Sequence, residues 1–203
     1  GVIILDDVSP LRQITAEVLA KPVHFFKSKP MIINEESGFG GRSSELEFIG
    51  PNPDRNARIV YYLQKKHIFG KTKMEVFDSE GNLVADLPTS KSKGINTVSW
   101  NGMLKRPKLA TAKTFAFGGF ATPRAPAGTY KVVFTKGKET YETEISLKND
   151  PDSVYSDKQR AKLHEVTMEL YNKNQELAYL VYQIDSYLES AAKNQDEKAT
   201  TMR

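Results

Sequence analysis

Hydrophobic residues alternate with polar ones in short runs across residues 57–150, and this period of two constrains the fold more than any other feature. In the first run, Ile59, Tyr61 and Leu63 fall on one side of the chain. Because successive side chains of a strand point to opposite faces, each run predicts a β-strand with one core face. About six such strands with turn residues between them predict an antiparallel β-sandwich.

The alternation also predicts which side chains face inward. Six residues are expected in the core: Ile59, Tyr61, Val76, Val98, Tyr130 and Val132. The segment Ser79-Glu-Gly-Asn82 predicts a hairpin turn, because Gly81 and Asn82 tolerate positive φ. Trp100 closes an alternating strand, which favours core packing over stacking on a carbohydrate.

The chain before the sandwich has a different character. Residues 1–34 predict a strand, short helices and extended pieces, with Ser9 as N-cap before Pro10 and Thr15 as the cap of a second helical turn. Residues 35–56 are rich in glycine and proline, which is typical of a linker. We therefore expect the sandwich to begin after this linker.

After the sandwich, residues 156–195 predict one long amphipathic helix. Ser156 and Gln159 form a capping-box pattern at its start. An apolar stripe follows at heptad spacing, and five of its residues are candidate interaction residues: Leu163, Leu170, Leu177, Leu180 and Ile184. Such a stripe is unstable in water, so we expect it to contact the sandwich or a second helix from the same protein or from a partner. Residues 196–203 lack the stripe and are expected to fray.

A second candidate surface is the apolar loop between two of the strands. Its candidate interaction residues are Phe115, Phe117 and Phe120. Loops of this length are usually functional or docked on a neighbour.

The sequence offers no motif for catalysis. It has no cysteine, and its three histidines lie in separate segments without metal-ligand spacing. The residues Phe69-Gly70-Lys71-Thr72 resemble only the end of a phosphate loop, which favours a turn between strands. Asp6 and Asp7 are adjacent on a strand, which is unsuited to acid–base work, and an aspartate at a strand end more often holds the following turn. We expect no catalytic residue, no metal and no cofactor.

Charge and hydropathy limit the partners. The net charge is +4, and the lysines occur as small groups such as Lys65-Lys66 and Lys91/Lys93. This spacing indicates solvated loops rather than a nucleic-acid site. No apolar run approaches the length of a membrane span.

Four stretches also occur in a recognisable order. They are Ala57-Arg-Ile-Val-Tyr-Tyr-Leu63, Met74-Glu-Val-Phe-Asp-Ser-Glu-Gly-Asn-Leu-Val84, Gly94-Ile-Asn-Thr-Val-Ser-Trp-Asn101 and Pro126-Ala-Gly-Thr-Tyr-Lys-Val132. Their order resembles the immunoglobulin-like (Ig-like) module of the flagellar hook-capping protein family, found at the C-termini of secreted bacterial proteins. The resemblance implies an Ig-like or fibronectin III-like sandwich over residues 57–150.

The first fifteen residues carry a second resemblance. The stretch Gly1-Val-Ile-Ile-Leu-Asp-Asp-Val-Ser-Pro-Leu-Arg-Gln-Ile-Thr15 is similar to the segment that leaves the last blade of sortilin-like β-propellers, in bacterial proteins described as "glycosyl hydrolase, neuraminidase-type repeat". This resemblance implies a preceding β-propeller, an Ig-like domain and a helical hairpin, of which one helix is readable here. It also implies a periplasmic, cell-surface or secreted location.

These observations favour a non-catalytic structural or interaction module of a larger envelope or secreted protein. Its expected partners are the preceding β-propeller and another protein chain bound through the C-terminal helix. One alternative is an accessory domain that binds polysaccharide for a glycosidase-like propeller. A second alternative is a component of an envelope secretion or surface-assembly complex.

Overall fold

The computed structural model describes residues 7–33, 56–110 and 122–201, with side chains up to residue 193. The chain divides into two compact units. The first comprises residues 1–104 and 124–154, and the second comprises residues 105–123 and 155–203. The fold is mainly β with a long C-terminal helix, as the sequence predicts.

Eight strands lie in the described part of the first unit. They are β1 (Val23–Phe26), β2 (Met31–Ile33), β3 (Ala57–Leu63), β4 (Thr72–Phe77), β5 (Leu83–Leu87), β6 (Gly94–Trp100), β7 (Gly128–Lys136) and β8 (Glu139–Asn149). They form a three-stranded sheet in the order β1-β3-β6 and a five-stranded sheet in the order β2-β8-β7-β4-β5.

One hydrophobic core takes side chains from both sheets, so the unit is a β-sandwich. The six residues predicted to face inward are all buried there: Ile59, Tyr61, Val76, Val98, Tyr130 and Val132. Tyr61 of the smaller sheet lies against Phe134 of the larger, with ring centroids 5.0 Å apart. Trp100 is also buried, and its ring meets that of Tyr130 edge-on at 5.2 Å.

The prediction that the sandwich begins after the linker is wrong. β1 pairs antiparallel with β3, with Val23 opposite Leu63, and β2 pairs with β8, with Met31 opposite Leu147. The β2–β8 pair is parallel, so the sandwich is not purely antiparallel. These two strands complete both sheets because each supplies backbone groups that an edge of β3 or β8 would otherwise leave unpaired.

Two short helices lie within residues 7–22, before β1. Helix α1 (Ser9–Arg12) starts one residue earlier than predicted, with Val8 rather than Ser9 at the N-cap. Helix α2 (Ala16–Ala20) is capped as predicted, because the Thr15 hydroxyl accepts a hydrogen bond from Val18 N at 3.2 Å. Val18 packs with Phe26 and Val60, which buries part of the outer side of the smaller sheet.

The hairpin between β4 and β5 has the predicted turn. Gly81 has φ of +85°, a value that side chains with a Cβ rarely adopt. One carboxylate oxygen of Asp78 accepts hydrogen bonds from Glu80 N at 2.9 Å and from Asn82 N at 2.8 Å. Although burial of the carboxyl works against ionisation, the hydrogen bond from the Asn82 side-chain amide and these backbone bonds lower the pKa of Asp78.

A long insertion leaves the sandwich between β6 and β7. Met103 and Arg124 form an isolated antiparallel bridge, and Ala125 N donates to Gly102 O at 2.7 Å. Trp100 Nε1 donates to Met103 O at 2.9 Å, so a core side chain holds this exit point.

The Tyr130 hydroxyl fastens the start of β7, since it donates to Pro126 O at 2.7 Å. Burial raises the pKa of Tyr130 to about 12, and the Asp78 carboxylate adds to the shift.

We expect Tyr130→Phe to lower the free energy of unfolding by about 1 kcal/mol, measured as a lower urea midpoint at unchanged slope. Tyr141→Phe is the control, because the Tyr141 hydroxyl donates to the exposed Glu139 carboxylate and the loss of this bond should shift the midpoint little. Equal midpoints for wild type and Tyr130→Phe would contradict the prediction.

Helix α3 (Asp157–Thr201) dominates the second unit. The capping box is present, because Ser156 N donates to Gln159 Oε1 at 2.8 Å and Gln159 N donates to Ser156 Oγ at 3.4 Å. The helix continues to Thr201, beyond the end predicted near residue 195. Glu, Lys and Ala are strong helix formers, and they continue the helix without an apolar stripe.

Candidate interaction surfaces

The predicted stripe of α3 lies on the surface. Its five residues remain between 54% and 69% exposed: Leu163, Leu170, Leu177, Leu180 and Ile184. They recur at intervals of seven, three and four residues, which places them along one side of the helix. We call these five residues the leucine stripe.

Lys173 occupies the one polar position within the leucine stripe. Its Nζ lies 3.7 Å from Glu169 Oε1 of the preceding helical turn, and both side chains are largely exposed. An exposed pair of this kind contributes at most about 1 kcal/mol. The lysine therefore interrupts the apolar stripe without strong compensation from its partner.

Another side of α3 is less exposed than the leucine stripe. His164, Thr167, Met168, Tyr171 and Ala178 are half-buried there. The Tyr171 hydroxyl donates to Lys105 O at 3.2 Å. The leucine stripe is thus distinct from the half-buried side of the helix.

Sequence reasoning missed two tyrosines that enlarge the apolar surface of α3. Tyr179 is 62% exposed and Tyr182 is 69% exposed, and neither follows the heptad spacing of the leucine stripe. A search for heptads alone passes over them. The predicted aromatic residues Phe115, Phe117 and Phe120 lie outside the described residues, so their loop stays a prediction.

The aspartate considered for acid–base chemistry holds a turn. Asp7 Oδ1 accepts a hydrogen bond from Ser9 N at 2.9 Å, which is the turn-holding role expected of it. Its hydrogen bonds to Ser9 lower the pKa of Asp7. Within residues 7–33, 56–110 and 122–193, no three His, Asp or Glu side chains come close enough to hold a metal ion.

Three connections between strands lie at one end of the sandwich. They are the β3–β4 loop (residues 64–71), the β5–β6 loop (residues 88–93) and the β7–β8 turn (residues 137–138). Leu63 is paired with Gly94, and Thr72 is paired with Lys136, so the loops leave their strands at the same end. The tetrapeptide that resembled a phosphate loop lies here as a turn, with φ of +92° at Gly70.

In the described part of the chain, no helix is both long and apolar enough to cross a membrane. No protein-family model, curated protein or solved structure matches this chain.

Proposed function

We propose that the chain is a non-catalytic interaction module that binds a helix of another polypeptide through α3. The partner is a second copy of this chain. The observation that carries it is the exposed leucine stripe, since about 1.5–3 kcal/mol is gained for each such side chain that leaves water.

The spacing of the stripe supports a helical partner. Apolar residues that repeat every 3.5 residues on average stay aligned with a second helix that supercoils around the first. The 45 residues of α3 span about twelve turns, which is long for a helix of a globular protein. The stripe from Leu163 to Ile184 covers three heptads of this length.

The proposal for the sandwich is that it is Ig-like. With β1, β3, β4, β6, β7 and β8 labelled A, B, C, E, F and G, the sheets read A-B-E and G-F-C, the arrangement of that fold. Tyr130 near the start of strand F bonds back to Pro126 O, as the tyrosine of an Ig corner does. This bond lies within the stretch Pro126-Ala-Gly-Thr-Tyr130 on which the family resemblance rests. We further propose that the chain belongs to a bacterial envelope or secreted protein in which a β-propeller precedes it.

Lys173→Leu tests the pairing proposal. The change removes a weak exposed ion pair and adds a leucine to the stripe, so we expect self-association at least about tenfold tighter than in the wild type. Sedimentation equilibrium over a range of concentrations measures the dissociation constant of each protein.

The matched control is Glu165→Leu. It also breaks an exposed ion pair, that with Lys162 at 3.0 Å, and adds a leucine, but off the stripe. We expect no tightening from this variant. A wild-type chain that stays monomeric at every concentration, or equal tightening by both variants, would overturn the proposed pairing.

A further inference from the structure

The three loops at one end of the sandwich are tied to each other. His67 N donates to Lys91 O at 3.0 Å, and Lys91 Nζ donates to Gly70 O at 2.7 Å. Gly137 N donates to Lys71 O at 3.3 Å, which joins the β7–β8 turn to the β3–β4 loop. The loops therefore present a surface that is organised before any partner binds.

The β5–β6 loop is also fastened to the core beneath it. The buried Tyr61 hydroxyl donates to Ser90 O at 2.7 Å and accepts from Ser90 N at 2.9 Å. The buried Asn96 donates through its amide to Ser92 O at 2.8 Å. A core tyrosine and a core asparagine thus hold the loop that contains Lys91 and Lys93.

This end of the molecule is strongly basic. Five of its lysines are exposed, and we call them the lysine end: Lys65, Lys66, Lys71, Lys93 and Lys138. None of the five forms an ion pair within the described residues. The three loops contain no acidic residue. Glu139 follows the last loop, and its carboxylate is 3.0 Å from Lys136 Nζ.

Two large apolar side chains stand among these lysines. Ile68 is 69% exposed and Phe69 is 85% exposed, and they are consecutive in the β3–β4 loop between Lys66 and Lys71. Phe69 thereby keeps nearly all of its apolar surface in water, although the loop that carries it is held by Lys91. An apolar pair flanked by exposed lysines combines electrostatic and hydrophobic attraction on one surface.

We propose that the lysine end docks on the surface of an anionic lipid membrane. The ammonium groups contact lipid phosphates, and Ile68 and Phe69 enter the boundary between headgroups and acyl chains. A soluble polyanion would use the lysines but would leave both apolar side chains in water. A polysaccharide stacks on flat rings, and the aliphatic Ile68 has no such face.

The test is binding of the full chain to vesicles by co-sedimentation. We expect binding to vesicles of phosphatidylcholine with phosphatidylglycerol and none to phosphatidylcholine alone. The double variant Ile68→Ser/Phe69→Ser should weaken binding at least about tenfold, because two apolar side chains no longer leave water. Lys65→Gln/Lys66→Gln should weaken it about twenty-fivefold, because each lysine near an anionic surface is worth about a factor of five.

Matched controls come from other parts of the same unit. Val154→Ser removes an exposed apolar side chain, and Lys27→Gln/Lys29→Gln removes two lysines from the opposite end of β1, so both variants should bind as the wild type does. All the substituted residues are exposed, so circular dichroism should show that every variant folds as the wild type does. The proposal is overturned by a chain that ignores anionic vesicles. It is equally overturned if Ile68→Ser/Phe69→Ser binds as tightly as the wild type, which would identify a site for a soluble polyanion.

Discussion

Val132→Asp is expected to abolish the folded sandwich. Val132 is completely buried in the core between the sheets, and it lies opposite Val76 on β4. An unpaired carboxylate at this place costs several kcal/mol, whether it stays charged or takes up a proton in an apolar site. Domains of this size have a total stability of roughly 5–15 kcal/mol, and the cavity and lost packing add to the penalty.

Circular dichroism and amide exchange measure the result. Thr129→Asp is the matched control, because it places the same charge on β7 at an exposed position and should leave the fold intact. Val132→Ala should have an intermediate effect, with an expected loss of about 2 kcal/mol in the free energy of unfolding. Native amide protection of β3 and β7 in Val132→Asp would show that the core does not depend on this position.

The strands of the sandwich were readable in the sequence because each has one buried face. In β7, Tyr130, Val132 and Phe134 are buried while Lys131 is exposed, so the burial follows the alternation of residue types. The turns were readable for a related reason, since Gly81 stands where the backbone requires positive φ. Local chemistry and the final fold agree at these positions.

β1 and β2 were not recognised as part of the sandwich because they are too short to show a period. β2 has three residues, and its partner β8 lies more than a hundred residues further along the chain. Strand pairing at that separation depends on where the whole sandwich leaves an open edge, which no local pattern records. The alternation of β3 places Val60 on the outer face of the sheet, where it is nevertheless buried because α2 covers it through Val18.

The lysine end was also invisible in the sequence. Lys65 and Lys138 are separated by more than seventy residues and belong to separate small groups of lysines, which indicated scattered loop charge. Only the register that pairs Thr72 with Lys136 and Leu63 with Gly94 brings these groups to one end. The exposed pair Ile68-Phe69 was the available local signal, because two apolar residues flanked by lysines are unusual in a turn.

For α3, the period of the leucine stripe could be predicted, but the partner that packs against the stripe could not. A heptad pattern states that a partner helix suits the stripe, and it does not state on which chain that helix lies. The structure adds that the leucine stripe stays exposed while another side of the helix is half-buried. This distinction turns the general expectation of burial into a test of pairing between chains.

The double variant Leu177→Ser/Ile184→Ser is expected to abolish self-association and leave the sandwich folded. Both side chains lie in the leucine stripe, and each is more than half exposed in the single chain. Burial of each is worth about 1.5–3 kcal/mol, and a pair of chains loses four such side chains. The dissociation constant should therefore rise at least about a thousandfold, measured by sedimentation equilibrium.

The matched control is Tyr179→Ser/Tyr182→Ser, which removes two large exposed side chains from the same helix but off the leucine stripe. This variant should associate as the wild type does. Amide exchange then separates the remaining explanations for the effect of Leu177→Ser/Ile184→Ser. If protection falls in α3 while residues 57–148 keep theirs, the stripe binds a second chain and the sandwich folds independently of it. Equal loss in residues 57–148 would instead make the helix part of the sandwich core, and unchanged protection throughout would mean that the stripe is never buried.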